Sequence, residues 1–442
     1  MNILFMTNSI PWPPTDGMRI KTYNLLRQLS KRHRLHLLSF YENGKDNPAE
    51  AANHLEDFCK TVKLIPAKKW KFREICVLLN MMNIIKAEPF FVREHRNKQM
   101  ADALAEFIKS TDIDVVHFDI LCMAQYVNLI RGRLPAILSL NDCISLSYRD
   151  EAILFPDKNI IKKIKLFLQW LNVHNYEKKI CRQFQKCHVV SDADKNYLVK
   201  TDNSIDVETI PNGVDAAFYH PLNLKPDYPS LVFESVMSGG TVDYVKWFLD
   251  NVFPSVTEVV PGIKLYLVGK EPTQKLIKIA SKNKNVIVTG FVEDVRPYID
   301  RATLSICPFL RSTGIPNKVL QAMAMEKTVV GTSCSFTGIK GTISGENMVA
   351  AENPKQFAER IIYLLQNPDK RKTIGQNARR LVVNSYSWER TAQEFEIFYQ
   401  QAIEKFDKNL ANREGYCSPA ACETVCTAHN HSEQTVRNNL SK

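Results

Sequence analysis

Residues 313–325 read TGIPNKVLQAMAM, and they mark the point where a loop becomes a helix. Gly314 and Pro316 punctuate the loop, and from Asn317 onward the apolar residues recur at helical spacing. The first turn of such a helix presents unpaired backbone N–H groups, and Lys318 adds a full positive charge there. We therefore expect this segment to suit an anionic ligand such as a diphosphate.

Short apolar runs alternate with helical patterns on both sides of this segment. A strand at residues 1–6, a helix, and a strand at residues 35–40 open the chain. This alternation is typical of α/β domains with parallel sheets. At 442 residues the chain is too long for one ordinary core, so two domains are expected. The first strand is not followed by the G-x-G-x-x-G pattern of dinucleotide binding.

The composition narrows the classes of function. Lys and Arg number 58 against 47 Asp and Glu, a net charge of +11 that attracts nucleotide phosphates or an anionic membrane surface. No nucleic-acid motif accompanies these basic residues, so no nucleic acid partner is expected. The 11 cysteines lack paired spacing, as is typical of reduced thiols in the cytosol. With an immediate first strand and no long apolar span, we expect a cytoplasmic protein without a targeting segment.

Several segments, taken in order, resemble a known family. Residues 207–215 run from a strand into Pro-Asn-Gly-Val-Asp, and the loop and helix at 313–325 follow after a second set of strands and helices. This order resembles the retaining GT-B glycosyltransferases of family 4, or group 1, and looks closest to enzymes that build bacterial surface polysaccharides. The resemblance covers about residues 1–405. It implies an α/β protein with two Rossmann-like, doubly wound domains facing a central cleft.

The resemblance also divides the chain. Residues 1–205 would form the acceptor-side domain, and residues 206–385 would bind the nucleotide sugar. Residues 386–407 would form a closing helix that returns to the first domain. Residues 408–442 are polar without an apolar run, so we expect a disordered tail. The cysteines and histidines of this tail fit no standard zinc spacing.

The donor motif departs from the family pattern at two positions. In the family, two glutamates bracket a Gly-rich turn; the first contacts the sugar and the second holds the ribose hydroxyls. Aligned on Gly314 and Ala322, this chain has Thr313 and Gln321 at those positions. The amide oxygen of Gln321 can accept a ribose hydrogen bond, although a neutral group binds a hydroxyl more weakly than a carboxylate does.

Other loops supply the remaining donor contacts that the resemblance implies. Gly17 would allow close backbone approach and Arg19 would reach a phosphate, with a surface turn as the alternative. The amides of Gly239 and Gly240 would form an anion nest where the family usually carries cations. Main-chain groups at Val292 would meet the nucleobase. The expected donor-binding set is completed by Gly314, Ile315 and Asn317.

Polar side chains follow two predicted strands, at 114–119 and 135–140. Ligands of doubly wound domains bind at the carboxyl ends of strands, where Asp119 and Asp142 stand. Asp142 is expected to orient an acceptor or act as a general base, and a helix N-cap is its alternative role. Asp119 occupies a position where the family often has a histidine, so no histidine role carries over. The catalytic candidates are therefore Asp142, Asp119 and Lys318.

One segment is a candidate for membrane contact. Residues 75–85 form an apolar run too short to span a bilayer, behind a basic and aromatic flank at residues 68–73. Such a flank is typical of a segment that lies on anionic lipid, and a helix packed in the core is the alternative. Peripheral contact with the inner face of the cytoplasmic membrane is one expectation.

These observations predict a glycosyltransferase that moves a sugar from a nucleotide-diphosphate sugar to a glycan or lipid-linked acceptor. Retention of anomeric configuration is implied by the resemblance alone. The Asp-x-Asp at Asp192 and Asp194 is expected to serve a helix start, so neither a metal nor a cofactor is expected besides the donor substrate. The alternative is a non-catalytic GT-B protein that binds a nucleotide or a partner glycosyltransferase, suggested by Thr313 and Gln321. A nucleotide-sugar epimerase is a third possibility.

Overall fold

The first domain contains a parallel sheet of seven strands. The computed structural model describes residues 1–67, 88–154, 160–311 and 314–414. The strands are β1 (Asn2–Thr7), β2 (Arg34–Tyr41), β3 (Thr61–Pro66), β4 (Val115–Asp119), β5 (Ala136–Asn141), β6 (Lys186–Val189) and β7 (Val207–Thr209), in the order β3-β2-β1-β4-β5-β6-β7. The helices are α1 (Gly17–Leu29), α2 (Pro48–Leu55), α3 (Phe90–Arg93), α4 (Lys98–Ser110), α5 (Ile144–Leu154), α6 (Ile160–Cys181) and α7 (Asp192–Thr201), with a 3₁₀ segment at Leu121–Leu129.

The second domain contains a parallel sheet of six strands. They are β8 (Ser230–Glu234), β9 (Lys264–Val268), β10 (Val286–Gly290), β11 (Leu304–Cys307), β12 (Val329–Thr332) and β13 (Val349–Ala351), in the order β10-β9-β8-β11-β12-β13. The helices are α8 (Thr241–Asn251), α9 (Phe253–Val259), α10 (Gln274–Ala280), α11 (Arg296–Arg301), α12 (Asn317–Ala324), α13 (Pro354–Gln366), α14 (Pro368–Ser385) and α15 (Trp388–Glu414), with a 3₁₀ turn at Ser333–Ser335.

The strands are apolar on both faces because helices cover both faces of each sheet. In β1, Leu4 and Met6 pack into one hydrophobic cluster, while Ile3 and Phe5 pack into another on the opposite face. This alternation follows from the period of two in a strand. Burial of each large apolar side chain stabilises the fold by about 1.5–3 kcal/mol. Continuous apolar runs are therefore the sequence signature of these parallel strands.

Both sheets reverse their strand order next to the central strand. In the first sheet the reversal lies between β1 and β4, and in the second it lies between β8 and β11. Loops leave such a point in opposite directions and open a crevice at the carboxyl ends of the strands. The two crevices face each other in one cleft, lined by residues of both domains.

The connection between the domains follows β7. This strand pairs with β6, with Cys187 opposite Val207, so residues 207–209 belong to the first domain and not to the second as predicted. The second sheet begins only at Ser230. The predicted boundary at 205/206 therefore lies a few residues too early, because a three-residue strand extends the first sheet.

The last helix returns to the first domain. Phe395, Phe398 and Tyr399 of α15 lie in the same cluster as β1, and the Tyr399 hydroxyl lies 2.7 Å from His117 Nδ1. The helix continues to Glu414, so the expectation of disorder from residue 408 is wrong for 408–414. Phe406, which is 7% exposed, still packs near the end of this helix. Residues 415–442 lie outside the described residues.

Two further expectations also fall on segments that the structure does not describe. The apolar run at 75–85 and its flank lie within residues 68–87, and Thr313 lies within 312–313. Among the helices that are described, none is both long enough and apolar enough to cross a membrane.

Candidate functional site

A cavity of about 1080 Å³ lies between the two domains. Its walls come from the carboxyl ends of β5, β8 and β9, the loops after β1, β10 and β11, and the helices α1 and α12. Residues predicted from the sequence that line it are Gly17, Asp142, Gly240, Val292, Ile315, Asn317, Lys318 and Gln321. The cavity thus brings together one catalytic candidate of the first domain and most donor-binding candidates of the second.

Arg19 does not reach this cavity. Its guanidinium donates to Asp46 at 2.8 Å and lies 3.5 Å from Asp16, and the side chain is 8% exposed. The predicted phosphate contact by Arg19 is therefore contradicted by the geometry. A carboxylate from the loop after β2 already binds the arginine.

Asp119 lies beneath the cavity wall and is 5% exposed. Its carboxylate accepts a hydrogen bond from Thr22 Oγ1 at 2.6 Å and lies 3.4 Å from Lys21 Nζ. Lys21 also donates to Ser139 and Asn141, and burial lowers the pKa of its amine while Asp119 opposes that shift. Asp119 is thus part of a buried ion pair that joins α1 to the sheet, and its predicted catalytic position is wrong.

Asp142 stands on the cavity wall, and it does not cap the helix that follows it. The backbone N–H groups at the start of α5 donate hydrogen bonds to carboxylates of other elements. Cys143 N–H donates to Asp194 at 2.9 Å, and Ile144 N–H donates to Glu177 at 3.1 Å. The N-cap alternative for Asp142 therefore has no support, and its side chain is exposed to the cleft.

The surroundings of Asp142 favour its protonated form. The carboxyl is open to the cleft on one side and crowded by protein on the others. Loss of solvation raises the pKa of Asp142 to about 7; the charge of Asp194 adds to the shift and Lys21 opposes it. Across the cleft, a Cβ built on Gly314 (φ 63°) would lie 2.0 Å from Asp142 Oδ1, so the loop before α12 has no room for a side chain. A carboxyl that titrates near neutral pH suits acid–base work.

Lys318 directs its charge away from the start of α12. Its Nζ donates to Ser235 Oγ at 2.8 Å and lies 4.9 Å from the ring centroid of Phe309. Ser235 Oγ in turn lies 3.1 Å from Thr241 Oγ1, at the first residue of α8. Burial lowers the pKa of Lys318, while the charge of Glu234 opposes that shift. The ammonium therefore sits between α12 and the start of α8.

Gln321 and Asn317 are held by residues of the interdomain connection. Gln321 Nε2 donates to Tyr219 Oη at 2.9 Å, and Asn317 Oδ1 accepts from Asn212 Nδ2 at 3.3 Å. An ideal Cβ on Gly17 would lie 3.6 Å from Asn317 Nδ2, so the loop after β1 closely approaches α12. The donor motif is thus fixed by contacts with segments distant in sequence.

The backbone turn at Gly239 and Gly240 precedes α8. Gly239 has a φ of 59°, a conformation that favours glycine, and it is not among the described residues that line the cavity. Gly240 does line the cavity. Gly314 likewise lies beside the cavity lining without being part of it.

Sequence reasoning missed Glu234 at the end of β8. This carboxylate lines the cavity and accepts no hydrogen bond from the described part of the chain, and its Oε2 is buried. Burial raises the pKa of Glu234 to about 7, and Lys318 opposes the shift. A charged residue that ends the apolar run LVFE was the available signal, because strand ends face the cleft.

Arg311, in the loop after β11, was also missed. It lines the cavity and donates from Nε to Tyr244 Oη at 3.2 Å. Arg311 approaches α8 from a loop that is distant in sequence. No sequence pattern near Arg311 therefore indicated that it lines the cavity.

The Asp-x-Asp of α7 has the structural role that was predicted. Ser191 caps the helix, accepting from Asp194 N–H at 3.2 Å, and Asp192 pairs with Lys340 at 2.8 Å. Within residues 1–67, 88–154, 160–311 and 314–414, no three acidic, histidine or cysteine side chains cluster as a metal site would need.

A two-sheet fold with its cavity at facing strand ends defines the class of the protein as GT-B. The model named Glycosyltransferase Family 4 matches residues 15–218, and the model named Glycosyl transferases group 1 matches residues 229–367. The chain therefore belongs to the family 4 and group 1 glycosyltransferases with the GT-B fold, and the predicted fold and family are confirmed.

Relatives of this chain include a protein of a cps region and a glycosyltransferase of capsular polysaccharide biosynthesis. An uncharacterized 44.6 kDa protein in the cps region of Klebsiella pneumoniae is 26% identical, over 87% of this chain and 96% of the relative. The capsular polysaccharide biosynthesis glycosyltransferase CapM of Staphylococcus aureus is 27% identical, over 33% of this chain and 39% of CapM.

Solved structures share the fold along most of the chain. Sucrose-phosphate synthase from Thermosynechococcus elongatus has a TM-score of 0.64 at 16% identity, covering 91% of this chain and 99% of that one. Anabaena HepE, solved in complex with UDP and glucose, has a TM-score of 0.60 at 13% identity, covering 90% and 99% of the two chains.

Proposed function

We propose that this glycosyltransferase moves a sugar from a nucleotide-diphosphate sugar to a glycan or lipid-linked acceptor during synthesis of a bacterial surface polysaccharide. The observation that carries the proposal is the single cavity that has Asp142 on one wall and Lys318 with Gln321 on the other. The complex of HepE with UDP and glucose supports a nucleotide sugar as donor. CapM and the protein of the cps region support surface polysaccharide as the product.

In this proposal the second domain holds the donor. The amide oxygen of Gln321, whose Nε2 is held by Tyr219, accepts a hydrogen bond from a ribose hydroxyl. Main-chain groups at Val292 contact the nucleobase. The Lys318 ammonium stabilises the charge that grows on the leaving diphosphate as the glycosidic bond breaks. Its hydrogen bond to Ser235 already holds the ammonium in place, so it needs little reorganisation at that moment.

The first domain activates the acceptor. Asp142 accepts the proton of the acceptor hydroxyl, or orients that hydroxyl toward the sugar. Closure of the cavity around both substrates aligns the reacting atoms and excludes water. Retention of configuration and catalysis without a metal are parts of the proposal that rest on the family resemblance.

A second candidate function is a non-catalytic GT-B protein that binds a nucleotide or a partner glycosyltransferase. The neutral Gln321, committed to Tyr219, favours it because a family glutamate is replaced there. The carboxyl of Glu234, whose buried Oε2 has no hydrogen-bond partner in the described part of the chain, counts against simple loss of function, since burying a polar atom without a partner costs free energy.

The test is to measure binding and hydrolysis of UDP-, GDP- and ADP-sugars by the purified protein in EDTA. Lys318→Ala is the variant, and Lys278→Ala, an exposed lysine of the same domain, is the control. We expect slow release of one nucleotide, lost in Lys318→Ala and retained in Lys278→Ala. If no nucleotide sugar is bound or turned over, the non-catalytic alternative takes its place.

We further propose that the enzyme acts at an anionic membrane surface, where a lipid-linked acceptor would lie. The first half of α6 supports this, because Ile160, Ile164 and Phe167 are exposed beside the exposed Lys163 and Lys165. Apolar and basic side chains on one exposed helix suit an anionic interface. Co-sedimentation with anionic vesicles, and none with zwitterionic vesicles, is the expected result. Equal recovery with both would contradict it.

A further inference from the structure

Glu234, the last residue of β8, is a carboxyl that the protein leaves without a full set of partners. Its side chain lines the interdomain cavity, yet its Oε2 is buried and has no hydrogen-bond partner among the described residues. Glu234 also lines a small cavity of about 10 Å³ between α12 and the second sheet. That volume is at the lower limit for one water molecule, so it gives a carboxylate little solvation.

The ammonium of Lys318 lies against the end of β8 and is held by a neighbour of Glu234. It donates to Oγ of Ser235, the next residue, at 2.8 Å, and lies 6.0 Å from the ring centroid of Phe233, the preceding residue. The charge of Lys318 acts on Glu234 from this position and opposes the effect of burial on its pKa. Lys318 therefore compensates the charged form of Glu234 only in part.

Two other titratable groups at this strand end are neutral near pH 7. Burial raises the pKa of Cys307, on the neighbouring β11, to about 12, and it also raises the pKa of Tyr219 in the interdomain connection. Tyr219 Oη already accepts a hydrogen bond from Gln321. A second lysine, Lys270, lines the same cavity from the loop after β9.

An anionic ligand beside Lys318 would change the balance of charge at this strand end. In the proposed function, Lys318 stabilises the diphosphate of the donor, so the ligand brings further negative charge close to Glu234. A nearby like charge favours the protonated form of a carboxyl. Lys318 would then face a ligand anion as well as Glu234, and one ammonium does not neutralise both.

We propose that Glu234 takes up a proton from the solvent when the nucleotide-diphosphate sugar binds, so that the donor occupies the cavity beside a neutral carboxyl. No other bond forms or breaks in this step. The inference rests on the proposed function and adds a pH dependence to it. Donor affinity falls as pH rises, and this effect is separate from the ionisation of Asp142 on the opposite wall.

The size of the effect follows from the free protein, in which burial raises the pKa of Glu234 to about 7. At pH 6 about nine in ten free molecules hold the proton, and at pH 8 about nine in ten have lost it. Donor affinity of the wild type should therefore fall about tenfold from pH 6 to pH 8. Glu234→Gln, which mimics the neutral form, should bind like the wild type at pH 6 and about tenfold more tightly at pH 8.

Calorimetry measures both affinity and proton uptake for whichever of UDP-, GDP- or ADP-glucose binds the wild type. A nucleotide sugar is the probe because its diphosphate is esterified at both ends and lacks a terminal phosphate, whose second pKa is about 6. Heats of binding at about pH 7.5 in Hepes and in Tris, which differ in ionisation enthalpy, give the number of protons taken up. Glu234→Gln should take up about three quarters of a proton fewer than the wild type.

Two further variants are the controls. Glu258→Gln, at an exposed glutamate of the same domain, should match the wild type in affinity and in proton uptake. Asp142→Asn removes another cavity carboxyl with a pKa raised to about 7, and it should retain the proton uptake that Glu234→Gln loses. Thermal melting establishes that each variant is folded.

The outcomes separate this inference from the proposed function. Donor binding without proton uptake, or with equal uptake in Glu234→Gln and the wild type, would overturn the inference and leave the proposed function standing. Weaker binding by Glu234→Gln at pH 8 would also overturn it, because the ligand would then need the charged carboxylate. If no nucleotide sugar binds the wild type, both fail.

Discussion

Asp142 is the residue that we propose for acid–base chemistry in the cavity. It is presented to the cleft because Asp194 and Glu177 hold the N–H groups of the next two residues. The same Asp194 raises the pKa of Asp142, after the larger effect of lost solvation. One buried carboxylate therefore both positions and tunes the candidate base.

Turnover should depend on the ionisation of Asp142. A general base works only when deprotonated, and the pKa of Asp142 is raised to about 7, so donor turnover should increase as pH rises through that value. Asp194→Asn removes a negative charge and should move the midpoint to lower pH. A rate profile between about pH 5 and 9 measures this. An unshifted midpoint in Asp194→Asn, matching the exposed control Asp112→Asn, would contradict the assignment.

Glu234 should make the folded state less stable as pH rises. Burial raises its pKa to about 7 from the 4.5 of an unburied glutamate. The folded state therefore holds the proton more tightly than the unfolded state, and stability is lost as pH rises from about 4.5 to about 7. Glu234→Gln mimics the neutral form and should raise the free energy of unfolding by about 1–3 kcal/mol at pH 8, and by much less at pH 5.

Urea unfolding at both pH values measures this difference. The exposed Glu258→Gln is the control, and it should show no such dependence. An equal effect of Glu234→Gln at the two pH values would show that the carboxyl is not desolvated in the folded state.

Sequence patterns predicted which residues lie in the cleft better than they predicted which side chains contact each other from distant parts of the chain. Asp142 and Lys318 were expected in the cleft, and both line it, because strand ends and helix starts face it in doubly wound domains. Arg19 and Asp119 were misplaced because Asp46 and Lys21 bind them, and nothing local reveals those pairs. The tertiary contacts that decide the site come from segments far apart in sequence.

At the scale of elements, the strands were predicted well because buried parallel strands are short apolar runs bounded by polar residues. β1, β2, β4 and β5 all lie within a residue of where the sequence placed them. The ends of elements were less predictable. β7 adds three residues to the first sheet, and α15 extends to Glu414, since pairing and packing decide both limits.

At the crossing between the domains, Gly213 packs tightly against the backbone at the start of α15. A Cβ on Gly213 would lie 2.5 Å from Trp388 N, at the start of α15, where backbone cannot easily move. Val214 N–H donates to Tyr386 O at 2.7 Å in the same crossing. Gly213→Ala should therefore lower the free energy of unfolding by about 1–3 kcal/mol.

Gly262→Ala is the matched control, because a Cβ there meets nothing within 4 Å. The measurement is the midpoint of urea unfolding for both variants. Equal midpoints would mean that the two chain segments at the crossing are not packed as described.

At the scale of the whole molecule, the two domains contribute different parts of one site. The first presents Asp142, and the second presents Lys318, Gln321 and Arg311 to the same cavity. Ion pairs also span the domains, among them Asp192 with Lys340 at 2.8 Å. Because the two domains have different roles, substitutions in the two cavity walls should change donor affinity and donor turnover differently.

The most direct test compares donor affinity and donor turnover in Asp142→Asn and Lys318→Ala. Asp142→Asn should bind the nucleotide sugar as the wild type does and lose turnover by about 100-fold or more, because only the acid–base group is removed. Lys318→Ala should lose both donor affinity and turnover while remaining folded. Wild-type turnover in Asp142→Asn, or unchanged donor affinity in Lys318→Ala, would contradict a single active site built from both domains.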